Sequence, residues 1–141
     1  GDVYKRQGHP YTMSGRVIHG QALGRTLGYP TLNIAPIPPG SRARPALAGV
    51  FAVKVSGLGP AEQCGVASLG LRPTVSSARR WLLETHVFDW KGDAYGRPVT
   101  VRFIERIRGE KKFSGLEELQ AAIAADARRA RQILGLAPNG E

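Results

Sequence analysis

The sequence predicts a mainly β domain with one α element: a barrel or sandwich of short strands, carrying a long helix at its C-terminal end. Two observations predict it. Residues 15–108 hold short runs of alternating or β-branched apolar residues, separated by glycine- and proline-containing turns. After Ser114 the apolar spacing changes to the period of a helix.

The elements follow in order. Gly15 to His19 starts a short strand, and Gln21 to Gly28 is a glycine loop. Tyr29 to Ile34 reads as a second strand. Ala35 to Pro45 holds four prolines and reads as a loop, because proline donates nothing to a sheet ladder. In Gly49 to Ser56, Val50 and Ala52 alternate with Phe51, Val53 and Val55, so apolar residues point to both sides of a strand. Cys64 to Leu69 is a further strand, and Gly70 to Ser77 a loop with Pro73. Trp81 to Phe88 is β-branched and aromatic. Pro98 to Arg108 alternates Val99, Val101 and Phe103 with polar neighbours. Ser114 with Glu117 has the spacing of a capping box. Leu116, Leu119, Ile123, Ala127, Ala130 and Leu134 then form one helical stripe, and Gly135 is a stop signal.

Composition excludes several classes. A chain of 141 residues, 42% hydrophobic and 22% charged, suits one globular domain with a core. No apolar run approaches the length of a membrane span, and no secretory signal pattern is visible. The single cysteine, Cys64, rules out an internal disulfide and a cysteine-cluster metal site, and reads as a small packing residue. A cytoplasmic enzyme without membrane partners is expected. The net charge of +9 would suit nucleic acid, but the basic residues are dispersed and no basic helix interleaves aromatics. A basic surface that attracts anionic nucleotides is the simpler expectation, with small-molecule substrates and no nucleic-acid partner.

The most informative segment is GRVIHGQALGRTLGYPTLN, Gly15 to Asn33. Gly15, Gly20, Gly24 and Gly28 fall within fourteen residues and lead into Pro30-Thr31-Leu32-Asn33. Glycine-rich backbone approaches ligands closely, and successive N–H groups can cradle an anion. Thr31 and Asn33 point to one side of an extended strand. Their oxygens suit Mg²⁺, which shares its coordination with substrate phosphates. The segment reads as a phosphate clamp beside a cation site, and Arg25 either reaches phosphate or is a solvated loop arginine. It is neither a Walker loop nor a strand–GxGxxG–helix unit. A β-hairpin with glycine turns explains the same glycines. Glu84 lies in an apolar strand and either faces solvent or points into a site; the pattern alone favours solvent. His86 shares its face by alternation and reads as a supporting group rather than a catalyst. Arg108, Lys112 and Phe113 precede the helix as surface charge and a helix-entry aromatic.

Four ordered blocks carry a resemblance. GRTLGYPTLN resembles the G-R-x-L-G-[FY]-P-T-x-N signature of the riboflavin kinase family. GVASLGLRPTV (65–75), LLETHVFDWKGDAYGRPVTVRFIERIR (82–108), and KKF with GLEELQAAIAADARRAR (111–131) resemble its later blocks, and together they cover nearly all of 14–134. The resemblance implies a six-stranded antiparallel Greek-key β-barrel of the split-barrel type with a long C-terminal helix. It implies transfer of the ATP γ-phosphate to the riboflavin 5′-hydroxyl, giving FMN and ADP. Glu84 takes the place of the proton-accepting glutamate. Thr31 and Asn33 take the places that hold Mg²⁺ and ATP phosphates. Gly20, Gly24, Arg25 and Gly28 belong to the flap over the phosphates. Arg108, Lys112 and Phe113 belong to the loop that closes on the flavin ring. Two departures stand out. Leu71 replaces a threonine of the G-T-R-P-T block, removing a hydroxyl near the site. Leu32 replaces a frequent alanine and is expected to point away from Thr31 and Asn33.

The resemblance also sets expected boundaries: a tail at 1–13, a kinase domain at 14–135 and a C-terminal tail at 136–141. Within the first tail, GDVYKRQ (1–7) resembles a translated transposon-end sequencing adapter. GHPYTM (8–13) resembles the junction of bifunctional bacterial FAD synthetases, in which an N-terminal FMN adenylyltransferase domain precedes the kinase domain. The reading of a different class is a non-catalytic β-barrel that binds flavin or RNA.

Overall fold

The computed structural model describes residues 11–19, 28–36, 48–73 and 79–137. The expected segment 1–10, most of the glycine loop including Gly20, Gly24 and Arg25, most of the proline loop, and residues 74–78 and 138–141 lie outside the described residues.

Six strands and one helix follow one another: β1 (Tyr11–Ile18), β2 (Leu32–Pro36), β3 (Gly49–Ser56), β4 (Gln63–Pro73), β5 (Arg79–Val87), β6 (Pro98–Arg108) and α1 (Leu116–Leu134). The strands close into a barrel in the order β1-β2-β5-β4-β3-β6, every neighbouring pair antiparallel. Strands β3, β4 and β5 form a meander, and β6 returns to lie beside β3; this is a Greek key. The expected six-stranded Greek-key barrel with its C-terminal helix is the fold observed.

Period-two alternation separates two cores. Phe51, Val53, Val55, Leu69, Leu83, Val99, Val101 and Phe103 fill the barrel interior. Val50, Ala52, Val66 and Phe88 point outward, where Ala127 and Ala130 of α1 cover them. The two faces read from Gly49 to Ser56 are therefore the two cores. Cys64 packs at the edge of the outer one, as a small packing residue.

Several boundaries move. β1 begins at Tyr11 rather than Gly15, because Tyr11 pairs with Phe103 of β6 and meets its ring edge-on at 5.6 Å. β2 begins at Leu32 and runs through Pro36, which pairs with Gly15. β4 continues through Gly70 to Pro73, and these residues pair with Leu82 to Arg79 of β5; a loop from Gly70 to Ser77 was expected there. The capping box does not form: Gly115 is the N-cap, without a side-chain cap bond, and Glu118 rather than Glu117 reaches back to Ser114. Leu116, the first residue of the expected stripe, is 59% exposed, since α1 rests on β3, β4 and β6 through its later turns. Gly135 ends the helix in the left-handed conformation. Leu136, in the expected tail, bonds back to the Arg131 carbonyl and packs on the outer core.

Away from the helix, Glu62 and Arg102 form a two-point ion pair with bonds of 2.8 and 3.2 Å. The hydrogen bond from Arg102 holds the Glu62 carboxyl below its ordinary value. A depressed carboxyl stabilises the fold above its unfolded pKa, and the contribution is lost as pH falls through the folded value. The pair is open to solvent, so Arg102→Met is expected to cost less than about 1 kcal/mol at neutral pH. Thermal melts should show that cost fading as the solution becomes acidic.

Candidate active site

Two of the candidate residues, Asn33 and Glu84, lie on the outer barrel face formed by β2, β5 and β4. Leu32 and Ile34 turn into the barrel core, which leaves Asn33 on the outer side. Asn33 is opposite Glu84 of β5, and Glu84 is opposite Ser68 of β4. The three residues form one cross-strand row, with neighbours about 5 Å apart at Cβ. Asn33 is buried. Glu84 is half-buried, its side chain 32% exposed. The expectation that Glu84 faces open solvent, taken from pattern alone, is corrected: a barrel strand with cores on both sides has no fully solvated face here.

Thr31 lies just before β2, and its approach is braced from β5. His86 Nδ1 is 2.8 Å from the Pro30 carbonyl oxygen, and its ring meets Tyr29 and Phe88 edge-on. The supporting role expected for His86 thus has a concrete object, the backbone leading into Thr31 and Asn33. Gly28, at φ +90°, turns the chain into this segment through a conformation that a side chain disfavours. Leu32 points inward, away from Asn33, as expected.

Arg72 is the residue that sequence reasoning missed. Its Nε donates to Glu84 Oε1 at 3.0 Å, and its Nη2 lies 3.4 Å from Ser68 Oγ. Its Nη1 donates to the Leu71 carbonyl at 3.0 Å and reaches Glu110 Oε1 at 3.4 Å. The available signal was its place in GLRPT, two residues after a glycine over which its side chain passes. A Cβ on Gly70 would collide with the Glu110 carboxylate and Arg72 Nη1.

The segment between β6 and α1 forms the other end of the site. Arg108 gives its Nε and Nη2 to the Asp126 carboxylate of α1, with the shortest bond 2.7 Å. Its guanidinium lies 5.6 Å from the Phe113 ring centre, and Lys111 Nζ lies 5.7 Å from the same centre. Lys112 is exposed. Asp126 was not singled out in the sequence because it interrupts the apolar helical stripe. Asn33 and Glu84 are therefore brought together, with Thr31 two residues before Asn33; Arg108 and Phe113 form a second group, and the Arg72–Glu110 pair joins the two.

Thr31 and Asn33 are neutral oxygen donors. Among the described residues, no group of three or more His, Cys, Asp or Glu could hold a metal ion. Two neutral oxygens fit Mg²⁺, which commonly takes its other ligands from substrate phosphates and water. They do not fit zinc, which prefers imidazole and thiolate.

Comparison with known proteins identifies the family. The family model described as "Flavokinase: Riboflavin kinase" matches residues 7–134. The bifunctional riboflavin kinase/FMN adenylyltransferase of Escherichia coli (strain K12) is 46% identical over 129 residues, covering 92% of this chain and 40% of that protein. The protein of the same name from Bacillus subtilis (strain 168) is 35% identical over 130 residues, covering 87% and 38%. The chain thus spans about 40% of the length of the curated relatives it matches. A solved structure from Streptococcus pneumoniae, described as a macrolide-efflux protein, superposes with a TM-score of 0.73 at 33% identity, over 89% of this chain and 40% of that one. The riboflavin kinase of Trypanosoma brucei shares the fold, with a TM-score of 0.55 at 24% identity over 89% of this chain and 80% of that one.

Proposed function

This chain belongs to the riboflavin kinase family, and from that premise we propose that it transfers the γ-phosphate of ATP to the 5′-hydroxyl of riboflavin, giving FMN and ADP. The observation that carries the reading is the row Asn33–Glu84–Ser68, which sets a carboxylate beside the oxygen donors of the PTLN segment. Phosphoryl transfer to an alcohol needs a held polyphosphate, a neutralising cation and a group that aligns the hydroxyl.

Each need has a candidate in this chain. Thr31 and Asn33 hold Mg²⁺ and the phosphates. When bound, Mg²⁺ neutralises charge on the polyphosphate. Glu84 accepts a hydrogen bond from the ribityl hydroxyl, orients it and takes its proton as the phosphoryl group transfers. Arg72 occupies one carboxylate oxygen, Oε1, which leaves Oε2 for the substrate. The loop from Gly20 to Gly28, with Gly24 and Arg25, covers the phosphates. Arg108, Lys112 and Phe113 bound the flavin ring by stacking and polar contact. Closure of both loops excludes water, a competing phosphoryl acceptor.

We infer that in the whole protein this domain is joined to an FMN adenylyltransferase domain, expected to precede it; the bacterial relatives are named for both activities, and this chain spans about 40% of the first of them. A cytoplasmic setting suits these substrates, and no helix among the described residues is long and apolar enough to cross a membrane.

The test is incubation of the chain with riboflavin, ATP and Mg²⁺, with FMN followed by chromatography beside a metal-free control. Metal-dependent FMN formation is expected. Flavin binding without FMN would favour the binding-only barrel instead.

A further inference from the structure

Arg72 sits where three pieces of chain meet. Its side chain runs back along β4 across Gly70 and touches β5 at Glu84, β4 at Ser68 and the post-β6 segment at Glu110. We propose that Arg72 is the positioning residue for the Glu84 carboxylate, and that Glu110 ties that position to the segment carrying Phe113. The inference rests on the reading of Glu84 as proton acceptor.

Three observations support it. First, the planar guanidinium has acceptors on all three of its nitrogens, so its plane is defined by more than the Glu84 contact. A glutamate has three side-chain torsions and is 32% exposed here; an anchored guanidinium removes much of that freedom. Second, both side chains pass close over Gly70: a Cβ there would meet the ends of Arg72 and Glu110, and both would have to shift from their present contact. Third, Glu110 follows directly on Arg108 and Gly109, in the segment that leads to Phe113. Movement of that segment on flavin docking is transmitted to Arg72, and from Arg72 to Glu84. An acceptor bound at one end of the site thereby sets the carboxylate at the other. The ion pairs themselves are partly solvated and contribute little to stability. Their effect belongs in turnover.

Steady-state FMN formation and thermal melts of the parent, Arg72→Met, Arg72→Lys, Glu110→Gln and Glu84→Gln test this. Arg72→Met is expected to lower kcat by roughly 10- to 100-fold, the scale of a misplaced catalytic group, with the KM values for riboflavin and ATP little changed. Arg72→Lys should recover part of the loss, because an ammonium reaches Oε1 but cannot fork to the other acceptors. Glu110→Gln should lower kcat about two- to fivefold, the scale of an exposed ion pair. A folded Arg72→Met with parental kcat overturns the proposal. So does a raised KM at unchanged kcat, which would make Arg72 a substrate ligand, or an Arg72→Lys no better than Met. Parental kcat in Glu110→Gln overturns the link to the post-β6 segment. If Arg72→Met fails to fold, Arg72→Lys and Glu110→Gln carry the test. Full activity in Glu84→Gln would defeat the underlying assignment, whereas an inactive Glu84→Gln beside a parental Arg72→Met defeats this inference alone.

Discussion

Glu84→Gln is expected to lower FMN formation by about 10²- to 10⁴-fold, the range general-base groups contribute. The melting temperature should stay close to that of the parent. The amide keeps the size of the carboxylate, and its oxygen still accepts from Arg72 Nε, so the strand pairing of β5 with β2 and β4 is undisturbed. The ability to take a proton is removed, together with the charge of a partly solvated ion pair to Arg72 that contributes little to stability. Riboflavin affinity should change little, because the flavin ring is assigned to the other end of the site. The variant is best measured by single-turnover FMN formation beside a fluorescence titration of riboflavin. Parental turnover with intact binding would remove Glu84 from the mechanism and leave the phosphate-holding residues to act by positioning alone.

The largest stability effect is expected from Asp126→Ala. Asp126 is 7% exposed and accepts three hydrogen bonds from Arg108. Removing one partner of a buried ion pair leaves the other charge uncompensated, which costs about 3–5 kcal/mol in a dry interior. Arg108 keeps 27% of its side chain exposed, so part of that cost is relieved by water. A loss of about 2–3 kcal/mol is expected, and a fall in melting temperature on the order of 10 °C. The pair ties the end of β6 to α1, at the start of the segment that carries Lys112 and Phe113. Weaker riboflavin binding should therefore accompany the lower melting point. A variant that melts with the parent would mean that the outer apolar core alone holds α1 in place.

These expectations draw unequally on sequence and fold. The strands whose alternation is uninterrupted, Gly49–Ser56 and Pro98–Arg108, were legible to the residue. Those crossed by glycine or proline were not, because the local signal reads as a turn. Gly70 and Pro73 lie within β4, and Pro36 ends β2, since pairing across a closed barrel outweighs local preference. The helix was legible in period and stop signal, but its first turn was misread: the capping box is a pattern of spacing, and Gly115 began the helix one residue later.

The site divides in the same way. Thr31 and Asn33 were suggested by oxygen-bearing residue types next to a glycine loop, whereas Glu84 was suggested only by the resemblance to the riboflavin kinase family, since its strand pattern alone favoured solvent. Their adjacency was not visible, since β2 and β5 are far apart in sequence and meet only through the barrel's strand order. Arg72, Glu110 and Asp126 escaped notice because each looks like an ordinary charged residue until its partner is known. By itself, the sequence determined the two faces of the uninterrupted strands Gly49–Ser56 and Pro98–Arg108 and the presence and stop of the C-terminal helix, because these follow from local period and residue type. Only the tertiary structure decided which charges are paired, because an ion pair depends on the meeting of side chains that closure of the barrel brings together from separate strands and loops.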